Sequence, residues 1–228
     1  MNSAIELEFA GQQFLADTRR ALFWPAKKTL IVADLHIGKA EDFGSRGTIL
    51  PPYEMSDIHD RLQILIKDYA PQRLVALGDS FHRAHSFEQL PQDEKGLLDT
   101  LLSQGKWIFI EGNHDTGGLN DDRFQSADEF EECGIMFSHR PPKERASDTP
   151  FIFGHYHPKF SRGDQRNGRI TRPCFIWDKN SLILPAFGTY TGGLDIKQPA
   201  IARYFSGAFS VAVADTAPKP AFFSCHAV

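Results

Sequence analysis

The sequence contains few cysteines and no long apolar stretch. Its 228 residues include three cysteines, Cys133, Cys174 and Cys225, which are widely spaced and form no CxxC pair. An odd number of separated cysteines indicates neither a disulfide framework nor a zinc site built from thiolates. No apolar run approaches the roughly 18 residues that a membrane-spanning helix needs, so we expect no membrane partner.

The sequence also lacks a strong excess of either charge. It carries 25 Lys and Arg against 29 Asp and Glu, a formal net charge of −4. An anionic partner must therefore be held by a local basic patch, because the whole chain does not attract one. Residues 1–14 show no basic stretch followed by an apolar one, so we predict no signal peptide and expect a cytoplasmic protein. The 41% of hydrophobic residues is typical of a globular chain and argues against disorder.

Short apolar runs and helical spacings alternate along the first half of the chain. Runs at 30–33, 74–77 and 107–110 each end in a polar cluster, which is typical of buried central strands. Apolar residues at helical spacing between them predict helices over 58–69 and 97–102. Strands at 5–9 and 14–16 are predicted to precede them. Strands alternating with helices indicate an α/β fold.

The second half of the chain has a different pattern. Short β-like runs occur at 151–153, 175–177, 181–187, 199–205 and 209–213, with no convincing helix between them. We interpret them as a second, mostly antiparallel sheet that packs on the first. Since no linker separates the halves, we expect one domain over 1–228. The acidic stretch 121–132 is interpreted as a surface helix, and Trp24, Trp107 and Trp177 as core residues.

Five of the nine histidines follow an apolar run or adjoin a glycine: His36, His114, His139, His155 and His157. In Asp34-x-His36 and His155-x-His157 the paired side chains project to the same side of an extended chain. Carboxylate and imidazole are ligands for Mn, Fe and Zn. Asn113 adds an amide oxygen, and Asp79 is the natural carboxylate to be shared by two cations.

Each of these signals has a simpler reading when taken alone. A single histidine is more often a hydrogen-bonded surface or core residue, and a lone Gly-Asp is usually a turn. Titratable groups at the ends of buried strands are nevertheless costly unless they are paired or bound to metal. Five segments that end in this way favour a metal site.

The ordered motifs DLH (34–36), GDSFH (78–82), GNHD (112–115), His139 and GHYH (154–157) resemble those of the calcineurin-like metallophosphoesterases. The flanking segments 22–39 and 43–47 are similar to the bacterial DNA ligase-associated metallophosphoesterases, a nuclease-like subgroup. The resemblance implies a four-layer αββα sandwich of two packed mixed β-sheets. It also implies two divalent metal ions, with manganese expected first and iron or zinc as alternatives.

The resemblance also implies a role for each motif residue. Asp34, His36 and His157 would hold one metal, Asn113, His139 and His155 the other, and Asp79 would bridge them. His82 would support the ligands from behind or be merely structural. Two cations would neutralise a phosphodiester and lower the pKa of water, so that hydroxide becomes available. His114 would then protonate the leaving oxygen with Asp115 orienting its ring, although Asp115 could instead cap a turn.

The substrate is predicted from three local features. Phosphoprotein phosphatases that resemble this family place an arginine before GNH to clamp a phosphomonoester dianion. The resemblance implies that Glu111 at this position disfavours such a dianion, although Arg83 matches the other phosphatase arginine. The basic segment after GHYH includes Lys159, Arg162 and Arg166 and could contact a nucleic-acid backbone, or it could be a solvated hairpin. The subgroup resemblance indicates DNA, with a helicase and a DNA ligase in the same pathway.

We therefore expect a phosphodiesterase or endonuclease of DNA repair. The alternatives are a hydrolase of small phosphodiesters or nucleotides and an inactive scaffold that binds partner proteins.

Overall fold

Two β-sheets pack face to face in the computed structural model. The structure describes residues 3–45, 47, 51, 53–82, 90–113, 124–141, 149–164, 168–216 and 221–226. The first sheet has the order β1-β2-β3-β4-β5-β6-β7. Its strands are β1 (Ala4–Phe9), β2 (Gln12–Asp17), β3 (Ala21–Trp24), β4 (Thr29–Ala33), β5 (Arg73–Leu77), β6 (Lys106–Ile110) and β7 (Phe124–Ala127). The first four are antiparallel neighbours, and β4 to β7 run parallel.

The second sheet has the order β15-β14-β12-β13-β10-β9-β8, and β11 pairs with β12 outside this path. Its strands are β8 (Glu129–Glu132), β9 (Ile135–Ser138), β10 (Phe151–Phe153), β11 (Lys159–Asp164), β12 (Gly168–Trp177), β13 (Ser181–Ile183), β14 (Ala208–Val213) and β15 (Ala221–His226). Among the described strands of this sheet, only β9, β10 and β13 pair in parallel. The sheet is therefore mixed, with mainly antiparallel pairs.

Helices cover the outer faces of both sheets. Two of them, α2 (Glu54–Tyr69) and α3 (Gln92–Leu102), pack on the first sheet, and the short α4 (Pro199–Ala202) packs on the second. A further short helix, α1 (Lys39–Ser45), follows β4 in the chain. A 3-10 turn, Pro25–Lys27, connects β3 to β4. Among the described residues, no helix combines the length and the apolar character needed to cross a bilayer.

The alternation of side chains along β4 shows why this strand is apolar from Leu30 to Ala33. Leu30 and Val32 face the helices, where they pack with residues such as Leu62 of α2. Ile31 and Ala33 face the second sheet, where they share a core with residues such as Phe137. A third cluster lies between the second sheet and α4. Three apolar layers between four structural layers confirm the predicted αββα sandwich.

Most predicted elements are present, and two predictions are wrong. The run 199–205 is not a strand: Pro199 begins α4, and Ile201 and Phe205 are buried one helical turn apart. The described part of the acidic stretch is not a helix: it forms β7 and β8, and exposed and partly buried residues alternate along β8. The run 181–187 is a strand only as far as Ile183. The strands β3, β9 and β15 and the helix α1 had no prediction.

Candidate dinuclear metal centre

The polar motif residues lie where strands of both sheets end. Asp34 follows β4, Asp79 follows β5 after a glycine, and Asn113 follows β6 after Glu111 and Gly112. From the second sheet, His139 follows β9 and His155 comes soon after β10. Because parallel strands end at the same edge of a sheet, these side chains meet at one edge of the sandwich.

One group of three side chains consists of Asp34, His36 and His157, whose candidate ligand atoms all lie within 4.8 Å of one another. The Nε2 atoms of His36 and His157 are 3.4 Å apart, and His157 Nε2 is 3.4 Å from Asp34 Oδ1. The Asp34 side chain is completely buried, and its carboxylate accepts hydrogen bonds from the backbone N–H of His155. This group could hold one metal ion.

A second group consists of Asp79, His139 and His155, again with ligand atoms within 4.8 Å. His139 Nε2 lies 3.4 Å from Asp79 Oδ2 and 3.1 Å from His155 Nδ1. The Asn113 amide is 3.3 Å from His155 Nδ1, and a flip of this amide would present its oxygen there. The two groups adjoin, since His139 Nδ1 is 3.7 Å from Asp34 Oδ1.

The backbone is strained at most of these positions. Asp34, His36, Asp79, His155 and His157 have φ of 54°, 52°, 44°, 69° and 47°. This left-handed region costs an L-residue roughly 1–2 kcal/mol. Such strain persists only where the surrounding structure imposes it, and it is concentrated at functional sites. The concentration of strain in these two groups therefore marks the site independently of its side chains.

Two glycines of the motifs allow the close approach of these residues. A Cβ atom on Gly112 would lie closer than 3.0 Å to the backbone N and to Oδ1 of Asp79. A Cβ atom on Gly154 would lie 2.5 Å from Asp34 Oδ2. Glycine is thus required before Asn113 and before His155 because a carboxylate occupies the space that a side chain would need.

The histidines of the two groups differ in their electrostatics. Burial lowers the pKa of His36 to about 3 and that of His155 to about 4, so both rings are neutral near pH 7. Burial also lowers the pKa of His139, but the hydrogen bond to Asp79 and nearby carboxylate charges outweigh it and raise the pKa overall. His139 Nδ1 lies 3.2 Å from the Leu77 carbonyl, so Nδ1–H donates there while Nε2 faces Asp79.

The donor set fits a pair of metal ions. Each group offers one carboxylate and two imidazoles, which suit divalent ions of the first transition row. The Nε2 atoms of His36 and His157 face each other at 3.4 Å, so a cation between them could be bound by both rings. Two adjoining groups of this kind fit a dinuclear centre.

Not every predicted site residue can be placed. His114, Asp115, Arg83 and Arg166 lie outside the described residues. Lys159 and Arg162 lie on β11, in a hairpin with β12. Lys159 Nζ approaches the Thr191 carbonyl at 3.5 Å, and the Arg162 guanidinium lies 5.7 Å from the Phe223 ring centroid. The segment after GHYH is therefore a hairpin in its described part.

His82 lies behind the first group. Its ring centroid is 6.1 Å from that of His36, and its Nε2 is 3.2 Å from Asp42 Oδ2 on α1. Sequence reasoning did not identify Asp42. The spacing of Asp42 from the DLH motif does not predict this contact, because the contact depends on the position of the short helix α1 relative to His82.

A loop after β13 holds the backbone on either side of the Asp34 Cα atom, and the sequence analysis did not predict this role. The Phe187 N–H donates to the Ala33 carbonyl at 2.7 Å, and the Gly188 N–H donates to the Asp34 carbonyl at 3.0 Å. Arg61 of α2 holds this loop, because its Nη2 donates to the Phe187 carbonyl at 2.7 Å and its guanidinium stacks on the Phe187 ring. The strained backbone of Asp34 is thus fixed by a distant arginine.

Comparison with known proteins agrees with this geometry. Residues 27–192 match the family model described as calcineurin-like phosphoesterase. The chain belongs to the calcineurin-like phosphoesterase family. This phosphoesterase is also similar to the crystal structure of the Pseudomonas putida nuclease MPE, with 29% identity and a TM-score of 0.72 over 92% of this chain and 96% of that one. No match is found among curated proteins.

These findings confirm the superfamily predicted from the motifs and agree with the nuclease-like subgroup. The protein is a phosphoesterase with two adjoining groups of candidate metal ligands. The motifs thus predicted both the family and the residues that meet at the strand ends.

Proposed function

We propose that this phosphoesterase is a dinuclear metal-dependent phosphodiesterase that cleaves DNA. The observation that carries the proposal is the pair of adjoining donor groups, each with a carboxylate and two imidazoles. Asp34, His36 and His157 would hold one ion, and Asn113, His139 and His155 the other. Asp79 would bridge the two ions. Manganese is the ion we expect first, with iron or zinc as alternatives.

The ions, when bound, would offset the negative charge of the phosphodiester and lower the pKa of water. The residues of the chain have separate tasks. Asp34 and Asp79 hold negative charge in a buried site, where a cation interacts strongly with it. His114 would donate a proton to the leaving oxygen, and Asp115 would orient the His114 ring.

Glu111 supports a diester rather than a monoester as substrate. It directly precedes Gly112, and its Oε1 accepts a hydrogen bond from Ser126 Oγ at 3.2 Å. A carboxylate at this position repels the second negative charge of a monoester more than the single charge of a diester. DNA is supported by the similarity to the P. putida nuclease and by the basic residues of the β11–β12 hairpin.

The proposal also includes a biological setting in DNA repair. If the nuclease-like subgroup is correct, the enzyme would act alongside a helicase and a DNA ligase. Co-purification of tagged protein with these two enzymes from a native host would support the association, whereas their absence would argue against it.

The test of function compares three substrates in manganese. Purified protein is given bis-p-nitrophenyl phosphate, p-nitrophenyl phosphate and a labelled DNA strand. We expect cleavage of the diester and the DNA, little cleavage of the monoester, and loss of both activities in His114→Ala. Diester cleavage with intact DNA would instead indicate a small-molecule hydrolase. A protein that cleaves none of the three would contradict the proposal and favour a scaffold.

A further inference from the structure

A cluster of two tyrosines and one arginine lies beside the second group of candidate metal ligands. Tyr156 stands between His155 and His157 in the chain, and its ring centroid is 4.9 Å from that of His155. Arg203 and Tyr204 directly follow α4. The hydroxyls of Tyr156 and Tyr204 are 3.0 Å apart. We call these three residues the Tyr–Arg–Tyr cluster.

The exposed Arg203 side chain is held in a fixed direction within this cluster. Its Nη2 donates to the Tyr156 hydroxyl at 2.9 Å and to the Tyr204 hydroxyl at 2.8 Å. Its guanidinium carbon is 4.9 Å from the Tyr204 ring centroid, a distance typical of a cation–π contact. Tyr204 in turn packs on the buried Phe153, with ring centroids 5.3 Å apart. A surface arginine ordinarily loses side-chain entropy on binding a ligand, and here much of that loss has already occurred.

The charge of Arg203 is not neutralised within the described part of the chain. No carboxylate there lies within 4.0 Å of its guanidinium, whereas other arginines form such ion pairs: Arg19, Arg20, Arg61, Arg73 and Arg169. Only Nη2 of Arg203 donates to described residues, which leaves the N–H groups of Nη1 and Nε for an external acceptor. A positioned guanidinium with unused donors is suited to an anion with two oxygens, such as a phosphodiester.

The tyrosine hydroxyls add one more donor. Each accepts a hydrogen bond from Arg203, and one of the two donates its proton to the other. The remaining hydroxyl proton can be donated outward, and tyrosine hydroxyls commonly contact phosphates in nucleic-acid complexes. The cluster therefore offers several donors and a positive charge to a single phosphate group.

We propose that the Tyr–Arg–Tyr cluster binds a second phosphodiester of a nucleic-acid strand whose scissile phosphodiester lies at the metal centre. This inference rests on the proposed DNA-cleaving function. The Tyr156 ring lies between the His155 ring and the Arg203 guanidinium, so a phosphate bound by Arg203 would be a neighbour of the reacting one along a polymer. A small diester with a single phosphate cannot occupy both positions. The cluster thus favours polymeric over small substrates.

The test variant is Arg203→Ala, and its matched control is Lys179→Ala. Lys179 is also exposed, but it lies in the turn between β12 and β13, where Asn180 accepts a hydrogen bond from the first residue of β10. Lys179 therefore lies at the opposite end of β10 from the candidate ligands His155 and His157. Both variants lose one surface positive charge, so they separate a local contact from a general effect of charge.

For each variant, kcat and KM are measured in manganese with a labelled oligonucleotide and with bis-p-nitrophenyl phosphate. We expect Arg203→Ala to lower the ratio of kcat/KM for the oligonucleotide to that for the small diester about tenfold, mainly through KM, as for the loss of one phosphate contact. The salt dependence of oligonucleotide binding should weaken by about 0.7–0.9 in log–log slope. Lys179→Ala should leave the ratio unchanged.

Three results would overturn the inference. An unchanged ratio in Arg203→Ala would show that the residue does not contact the polymer. An equal loss on both substrates would assign the cluster to positioning His155 instead. Wild-type protein that cleaves the small diester but neither binds nor cleaves DNA would overturn the proposed function itself, and that failure is visible before any variant is made. Thermal unfolding within about 2 °C of wild type confirms that an exposed substitution leaves the fold intact.

Discussion

At the scale of single residues, the site depends on glycines at positions where a larger residue would collide with a neighbouring carboxylate. Gly112 and Gly154 each touch a carboxylate that we assign to the metals. The strained φ values of Asp34 and Asp79 show that the chain is bent sharply to bring those carboxylates inward. Space and backbone direction, and not only the identity of the ligands, therefore determine whether the centre can form.

Gly112→Ala should damage the site far more than an ordinary glycine substitution. The added methyl group would meet the backbone and the carboxylate of Asp79, and overpacking of this kind costs about 1–3 kcal/mol. We expect a lower free energy of unfolding and fewer than two manganese ions bound per chain. The matched control is Gly96→Ala in α3, where nothing lies within 4 Å and alanine should stabilise the helix by about 0.5–1 kcal/mol. Equal behaviour of the two variants would contradict this account.

At the scale of elements, α2 and the loop after β13 form one support for the first metal position. Arg61 forms an ion pair with Asp57 at 2.7 Å, and Thr189 donates to the same carboxylate at 2.5 Å. On the other side of the loop, Arg20 donates to the Gly188 carbonyl at 3.2 Å. The loop that fixes the Asp34 backbone is thus held by Arg61 of α2 and by Arg20 of the turn between β2 and β3.

Arg61→Ala should weaken both the fold and the metal centre. The Arg61 side chain is only 18% exposed, and its loss leaves the Phe187 carbonyl without this donor, so we expect a destabilisation of about 2–3 kcal/mol. The apparent affinity for manganese should also fall, as measured by calorimetric titration at a temperature where the variant is folded. Lys67→Ala, an exposed change on the same helix, should alter neither quantity by more than about 0.5 kcal/mol. Unchanged manganese affinity in Arg61→Ala would refute the supporting role of the loop.

The predictable part of the structure is local along the chain. An apolar run followed by a polar motif contains both the strand and the residue at its end, so β4, β5, β6 and the candidate ligands that follow them could be predicted. The helix α4 could not, because its four residues show barely one turn of periodicity. The strands β7 and β8 were mistaken for a helix because acidic composition indicated exposure without indicating the period.

Contacts between distant parts of the chain leave no such local pattern. Two examples depend on where helices lie relative to the rest of the fold. They are the hydrogen bond from Arg61 to the Phe187 carbonyl and the contact between His82 and Asp42. The Tyr–Arg–Tyr cluster joins residues from a loop and from the end of α4, and neither segment alone predicts the other. These are the features that only the folded structure provides.

At the scale of the whole molecule, two buried carboxylates make the stability of the fold depend on bound metal ions. The side chains of Asp34 and Asp79 are 0% and 4% exposed, and burial of negative charge is costly unless it is compensated. Bound cations would provide that compensation.

We also propose that residues 1–228 form one domain, since a shared core joins the two sheets, and this predicts a single unfolding transition.

Chelation should therefore lower the melting temperature of the manganese-loaded protein. At a metal concentration 100 times the Kd, each bound ion contributes about 2.7 kcal/mol, which corresponds to about 5–10 °C per ion for a chain of this size. Scanning calorimetry with manganese and with EDTA measures the difference. Asp79→Asn should reduce this response, because it removes the proposed bridging carboxylate. A wild-type melting temperature that responds to neither manganese nor EDTA would rule out the dinuclear centre.

The division of the ligands between the sheets has a consequence for the cell. Asp34, Asp79 and Asn113 follow strands of the first sheet, while His139, His155 and His157 follow strands of the second. If the enzyme cleaves DNA as we propose, activity before folding is complete would be hazardous. Because neither half of the chain carries a full set of ligands, a ribosome-bound or partly assembled chain would be catalytically silent until both halves have docked.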